Sequence, residues 1–285
     1  MMPILRAWAA LYRGHLITFM RSRTAVYWTL AFPLVFLLIF GSVFGRGVPE
    51  QLDILMPGLL TITTISGSLF GVAIRMVTER ETGILRRHRL TPLHPLSIML
   101  AHGAMSLTML LGSVAVQVLV ARLLFGFSAN GSVVSLFIVI ALGGLALIPF
   151  GLVVGSIARD SKVAPAMTNF LFFPLMFLSG ATIPFPLLPE WLQRVARLIP
   201  TTYLVEALQG VIIRGVNVFN LGAPVIMLLL TAVIGVSING LLFRWESDEP
   251  VKGRRLLISL AVMGAVYGTA YFVAPTLHIA SKLGK

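Results

Sequence analysis

Long apolar stretches alternate with short polar connections along this chain. Seven stretches lack Asp, Glu, Lys and Arg, and each has the roughly 20 residues that a helix needs to cross a hydrocarbon core of about 30 Å. These stretches are 24–44, 54–74, 96–121, 133–158, 163–183, 222–243 and 256–277. Because backbone groups cannot remain unpaired in lipid, we predict that all seven are membrane-spanning helices.

Composition agrees with a lipid environment. Apolar residues make up 57% of the 285 and charged residues only 11%, whereas a soluble domain carries about 25% charged residues. The net charge of +12 comes from basic groups that lie almost entirely outside the apolar stretches. Basic residues at the ends of membrane spans set orientation, so the charge does not indicate a nucleic-acid partner.

The distribution of Lys and Arg predicts the orientation. Fifteen of the 22 lie in the N-terminal segment and in the connections 75–95, 159–162 and 244–255, and the other seven lie in the alternate connections and the C-terminus. Positive residues accumulate on the cytoplasmic side. We therefore expect a multi-pass membrane protein with the N-terminus in the cytoplasm and, if all seven stretches span the membrane, the C-terminus outside.

The connection 184–221 contains two short apolar helices. Residues 188–199 place apolar side chains at a three- and four-residue spacing, with Pro189 suited to the first turn and Pro200 ending the helix. A second apolar piece carries one carboxylate, Glu206. Neither piece is long enough to cross a bilayer alone. We predict a re-entrant pair over 184–215, with Trp191 at headgroup depth on the outer side.

Several kinds of chemistry have no support in the sequence. There is no cysteine, no phosphate-binding G-x-x-x-x-G-K-[ST] motif, and no metal-ligand spacing among the five histidines, so we predict no metal or cofactor in this chain. The predicted spans contain no ionisable residue except His102, which disfavours ion-coupled carriers. What remains is a pore, a packing subunit, or a transporter subunit driven by another polypeptide.

The cytoplasmic stretch TERETGILRRHRLTP concentrates charge between two apolar stretches. Its basic residues could serve orientation alone, but its two glutamates would then contribute nothing. The stretch resembles the segment after the second span in permease subunits of type-two ABC exporters. The matching residues are Glu79, Arg80, Glu81, Gly83, Leu85, Arg86, Arg87 and Pro92. A second segment, 177–211, is similar to the re-entrant exit region of the same family. Its matching residues include Pro184, Trp191, Pro200, Tyr203 and Glu206, and these are assigned to the exit region together with Leu192.

The resemblance implies an all-α integral membrane fold. Residues 1–245 would form a six-span permease core in which 79–89 is a coupling helix that docks on an ATPase. Residues 246–285 would add a cytoplasmic linker and one span that the six-span family lacks. The family's exporters combine two permeases, identical or different, with two ATPase subunits that bind Mg-ATP, so this chain would not itself be an enzyme.

The implied function is ATP-driven export of an amphipathic, lipid-like or lipid-linked substrate such as a drug, lipid or glycan. The alternatives are a non-transporting membrane anchor that recruits a cytosolic partner, and a passive channel. Aromatic residues on the first and fifth spans could line the substrate path or simply face lipid. These are Trp28, Phe32, Phe36, Phe40, Phe173 and Phe177. Glycine pairs four residues apart at 67–71, 151–155 and 264–268 predict close helix packing.

Overall fold

The computed structural model describes residues 2–44, 49–90 and 95–242, and these are helical apart from turns. Within them the chain forms ten α-helices. They are α1 (Met2–Arg21), α2 (Arg23–Phe44), α3 (Pro49–Glu81), α4 (Ile84–Arg89), α5 (Pro95–Phe125), α6 (Val133–Ile157), α7 (Val163–Phe177), α8 (Glu190–Ala196), α9 (Pro200–Ile212) and α10 (Ala223–Leu242).

Four of these helices contain segments long and apolar enough to cross a membrane. The segments are Arg23–Phe44, Leu52–Glu81, Leu96–Phe125 and Val133–Ile157, while α7 and α10 contribute shorter apolar segments. The prediction of an all-helical membrane protein is therefore confirmed. The six-span count and the 1–245 core stay predictions, and the predicted linker and span within 246–285 lie outside the described residues.

The structure differs from the sequence-based expectation at several helix ends and in one additional helix. Helix α3 continues through Glu81 instead of ending near 74, since residues 75–81 contain neither glycine nor proline and several of their side chains are buried. Helix α7 ends at Phe177 and not at 183, because Pro174 lies in its last turn and Gly180 beyond it has a positive φ of 87°. The N-terminal segment, predicted only as basic, forms the amphipathic helix α1.

Helices α3 and α6 form the centre of the bundle, and glycines bring them close together. A methyl group on Gly151 would come 2.7 Å from the Ser68 carbonyl oxygen, and one on Gly155 would come 3.0 Å from Cβ of Met76. On the other side of α3, a methyl on Gly67 would lie 3.3 Å from Leu110 of α5. The close packing predicted for 67–71 and 151–155 is thus confirmed, while 264–268 lies outside the described residues.

Side-chain hydrogen bonds link the helices through this apolar core. Thr63 Oγ1 donates to Gln117 Oε1 over 2.8 Å between α3 and α5, and Ser113 Oγ donates to the Thr29 carbonyl over 3.1 Å between α5 and α2. Asn239 Nδ2 donates to the Pro149 carbonyl over 2.9 Å, which joins α10 to α6. Such bonds average about 0.6 kcal/mol in membrane bundles, so they fix helix register more than they supply stability.

Candidate functional site

The charged motif lies at a sharp corner between α3 and α4. Gly83, at φ 74° and ψ 10°, occupies the left-handed region and forms the N-cap of α4. We expected one helix over 79–89. Instead, α3 ends at Glu81 and the six-residue α4 begins at Ile84, because glycine adopts the left-handed conformation without steric cost and breaks the helix there. Leu85 is fully buried and anchors α4, whereas Arg86 and Arg87 are exposed.

Arg80 secures the end of α3 to the end of α6. Its guanidinium is buried and donates to the carbonyl oxygens of Gly155 at 3.0 Å and Ser156 at 3.4 Å, and also to that of Ala158. These carbonyls belong to the last turn of α6 and its C-cap, where a cation is favoured by the helix dipole. The guanidinium therefore caps a neighbouring helix of the same chain.

Glu81 holds the turn that joins α6 to α7. Its Oε1 accepts a hydrogen bond from the Ser161 amide at 2.9 Å. In the same turn, Asp160 Oδ1 accepts from the amides of Lys162 at 3.0 Å and Val163 at 2.8 Å, which caps the start of α7. Arg80 and Glu81 together join the corner to the α6–α7 connection.

Glu79 points into the bundle, toward two histidines. His15 Nδ1 of α1 lies 3.4 Å from Glu79 Oε1, and His102 Nε2 of α5 lies 3.1 Å from Glu79 Oε2. The two imidazole rings have centroids 4.6 Å apart. Burial, reinforced by His102, lowers the pKa of His15 to about 4, so this imidazole is neutral at pH 7. Sequence spacing gave no sign of this cluster, because its members come from three helices.

The eight residues matched in the coupling motif therefore differ in their surroundings. Glu79, Arg80 and Glu81 contact other parts of this chain, while Arg86 and Arg87 are exposed on α4. Pro92 lies outside the described residues. Their assignment to ATPase coupling stays a prediction.

The second matched segment forms two connected helices. Pro184 precedes a short 3₁₀ turn, Phe185–Leu187, and α8 follows with Trp191 67% exposed and Leu192 partly buried. Pro200 was expected only to end the first helix, but α8 already ends at Ala196 and Pro200 starts α9, because proline is favoured in a first turn.

Helix α9 is fixed to its surroundings by hydroxyl groups. Tyr203 is fully buried and its hydroxyl donates to the Arg197 carbonyl over 2.8 Å. Thr201 Oγ1 donates to the Leu175 carbonyl over 2.9 Å, which joins α9 to α7. Glu206 is partly buried one turn after Tyr203. The re-entrant placement of this pair in a membrane stays a prediction.

The aromatic residues of α2 form a ladder of ring contacts. Centroids of Phe32 and Phe36 are 4.9 Å apart, and those of Phe36 and Phe40 are 6.3 Å apart. Trp28 and Phe32 are exposed, while Phe36 and Phe40 pack partly against the core. On α7, Phe173 and Phe177 are also exposed. These surfaces are available to lipid, to substrate or to a second chain.

Comparison with known proteins identifies the family. The profile of the ABC-2 type transporter family matches residues 6–213, which include the corner, the α6 carbonyls that Arg80 contacts, and helices α8 and α9. The chain belongs to this family. Its members are permease subunits that are not ATPases themselves, and their membership of ABC transporters implies an ATPase partner.

Individual relatives agree with this assignment. The chain is 28% identical to the transport permease YvfS of Bacillus subtilis over 64% of its own length and 76% of the relative. It is 30% identical to the inner membrane transport permease YhhJ of Escherichia coli over 54% of its length, but that region spans only 41% of YhhJ. It is 25% identical to ABC transporter G family member 20 of Dictyostelium discoideum, of which the match spans 24%.

Proposed function

We propose that this chain is the transmembrane subunit of an ATP-driven exporter in a bacterial cytoplasmic membrane. Two permease chains, identical or different, would work with two ATPase subunits that bind Mg-ATP. The substrate class is amphipathic, lipid-like or lipid-linked. The N-terminus would lie in the cytoplasm and the C-terminus outside.

The observation that supports this proposal is that the corner between α3 and α4 is fixed to the rest of the chain. A docking element must move with the spans that it drives, which requires rigid connections. The corner meets this requirement, because Arg80 and Glu81 tie the end of α3 to the α6–α7 turn and Leu85 anchors α4 in the protein. Arg86 and Arg87 are then free of the core and face outward, where a partner with acidic groups would meet them.

The outer helices and the aromatic surfaces complete the proposed path. Export of an apolar substrate needs an apolar route and an exit at the outer leaflet. We assign the route to the exposed rings on α2 and α7 and the exit to α8 and α9, where Trp191 suits headgroup depth.

The test separates docking from overall charge. Arg86→Gln combined with Arg87→Gln removes two exposed charges from α4, each worth about 0.2–1 kcal/mol in a partly exposed ion pair. Arg21→Gln combined with Arg23→Gln removes the same charge from another exposed position on the same predicted side. We expect only the α4 variant to lose co-purification with the ATPase and substrate-stimulated ATP turnover, while both insert and fold normally.

Other outcomes would favour other functions. Equal behaviour of the two variants would contradict docking through α4. Retained ATPase binding without nucleotide-driven substrate release from vesicles would favour a membrane anchor. Conductance of the permease alone would favour a passive channel.

A further inference from the structure

The His15–Glu79–His102 cluster places two imidazoles around one buried carboxylate. The proposed export function does not require this cluster. His15 lies on α1, Glu79 near the end of α3 and His102 near the start of α5, so three helices converge on one point. His102 is 1% exposed and Glu79 is 8% exposed. A carboxylate held in such a place needs a strong partner, because burial of an unpaired charge is costly.

Glu79 and His102 make a close contact between buried atoms. Glu79 Oε2 and His102 Nε2 lie 3.1 Å apart, and neither atom makes a hydrogen bond that meets full geometric criteria. Both atoms could therefore serve a cation as ligands. An imidazole that binds a metal has this relation to its fellow ligands, because its lone pair points at the ion between them.

The distances between donor atoms fit the edges of a small coordination polyhedron. Zinc bonds of about 2.0–2.1 Å at tetrahedral angles separate neighbouring ligand atoms by about 3.3–3.4 Å. His15 Nδ1 lies 3.4 Å from Oε1 of Glu79, and His102 Nε2 lies 3.1 Å from Oε2 of the same carboxylate. With one ligand atom taken from each residue, the three atoms lie within 4.8 Å of one another, and a cation bound to all three would draw them closer together.

We propose that His15, Glu79 and His102 bind a divalent transition-metal cation of the zinc class, which joins α1 to the cytoplasmic ends of α3 and α5. Two imidazoles and one carboxylate favour Zn²⁺, Co²⁺ or Ni²⁺ over Mg²⁺ and Ca²⁺, which prefer oxygen ligands. Water would supply the fourth ligand.

The surroundings set the expected strength of binding. The His15 side chain retains 14% exposure, so a cation can reach the cluster from this side. Arg75 lies one turn before Glu79 and interacts electrostatically with both Glu79 and His15. Its positive charge would repel a cation bound between them. We therefore expect moderate affinity and not the very tight binding of a four-ligand structural site.

Direct metal binding tests this site without an ATPase or a substrate, so failure here leaves the export function untouched. The full chain is purified with a histidine-free tag, stripped with a chelator and titrated with Co²⁺, with Zn²⁺ and Mg²⁺ as competitors. The chain has no cysteine, so thiolate ligands cannot contribute. We expect one Co²⁺ per chain with a tetrahedral visible spectrum that Zn²⁺ abolishes and excess Mg²⁺ does not.

Variants identify the ligands. His15→Ala, Glu79→Gln and His102→Ala should each weaken Co²⁺ binding by at least about tenfold, as loss of even an outer-shell partner does. Tyr12→Phe is the matched control. It removes the 2.9 Å hydrogen bond between Tyr12 and Thr108, which links the same α1 and α5, but touches no donor atom. Tyr12→Phe should bind Co²⁺ like the wild type.

A spin label at Gly14 of α1 reports whether a bound cation holds α1 against α3 and α5. A side chain added there meets nothing within 4 Å, so Gly14→Cys supplies a labelling position that does not disturb the fold. Zn²⁺ should slow the label's motion in the otherwise wild-type chain, and His15→Ala should abolish the effect. His15 is partly exposed, so His15→Ala is expected to fold. The test of the metal site therefore stays valid even if Glu79→Gln fails to fold. Absence of a Co²⁺ spectrum from the wild-type chain, or wild-type Co²⁺ affinity in all three ligand variants, would overturn the proposal.

Discussion

Gly83 is the single residue on which the geometry of the corner depends most directly. Its φ of 74° costs an L-residue about 1–2 kcal/mol, while a methyl group there would meet no other atom within 4 Å. Gly83→Ala should therefore lower stability by that strain alone and reorient α4, so that ATPase stimulation falls. Thermal unfolding and ATP turnover of the reconstituted complex measure the two effects.

Gly126 provides the matched control for this change. It follows α5 with a φ of 70°, and a methyl there also meets nothing within 4 Å. Gly126→Ala should lose a similar amount of stability, because the backbone strain is similar, yet keep full ATPase stimulation. Equal loss of stimulation in both variants would contradict a special role for the corner.

For individual residues, the sequence singled out the charged motif as a candidate functional segment. It did not predict which group each charged side chain contacts. The motif's composition predicts a polar segment outside the membrane, and exposed Arg86 and Arg87 agree with that interpretation. The contact of Glu79 with His15 and His102 depends on how α1 and α5 pack, which residues separated by 64 and 23 positions do not disclose. Arg80 could not be assigned to the α6 carbonyls for the same reason.

Among the helices, the α3–α6 pair gives the clearest stability prediction. Gly151→Ala would place a methyl 2.7 Å from the Ser68 carbonyl oxygen, and backbone cannot move aside cheaply. Overpacking of this kind costs about 1–3 kcal/mol. Gly112 lies at an exposed position of α5, and Gly112→Ala meets nothing within 4 Å and gains helix propensity, so it should be neutral or stabilising by up to about 1 kcal/mol.

Unfolding of the two variants in the same detergent distinguishes local packing from a general intolerance of alanine. We expect Gly151→Ala to unfold at lower temperature than the wild type and Gly112→Ala at the same or higher temperature. A stable Gly151→Ala protein would show that α3 and α6 separate easily.

Apolar length predicted several helices closely and others poorly, for physical reasons. The starts of α2 and α6 lie within one residue of the expected positions, since uninterrupted apolar stretches there have sharp polar limits. The continuation of α3 through Glu81 was missed, because a helix that leaves lipid remains helical when its polar side chains find partners. The amphipathic α1 was missed because a search for continuous apolar length does not detect one-sided helices.

For the whole molecule, the proposed coupling role and the proposed ATPase partner depend on which face of the membrane holds the corner. Fifteen of 22 basic residues, Arg86 among them, lie on the predicted cytoplasmic side, while Arg194 lies on the predicted outer side. The chain contains no cysteine, so each single-cysteine variant carries one reactive thiol. We expect Arg86→Cys to be protected from a membrane-impermeant thiol reagent in intact cells and Arg194→Cys to react, because both side chains are exposed. Lys252→Cys, outside the described residues, should be protected as well.

In permeabilised membranes Arg86→Cys and Arg194→Cys should both react, which separates membrane shielding from burial within the protein. Labelling of Arg86→Cys in intact cells would put α4 outside, where ATP and its hydrolysing subunit are absent, and would contradict the orientation and the coupling role together.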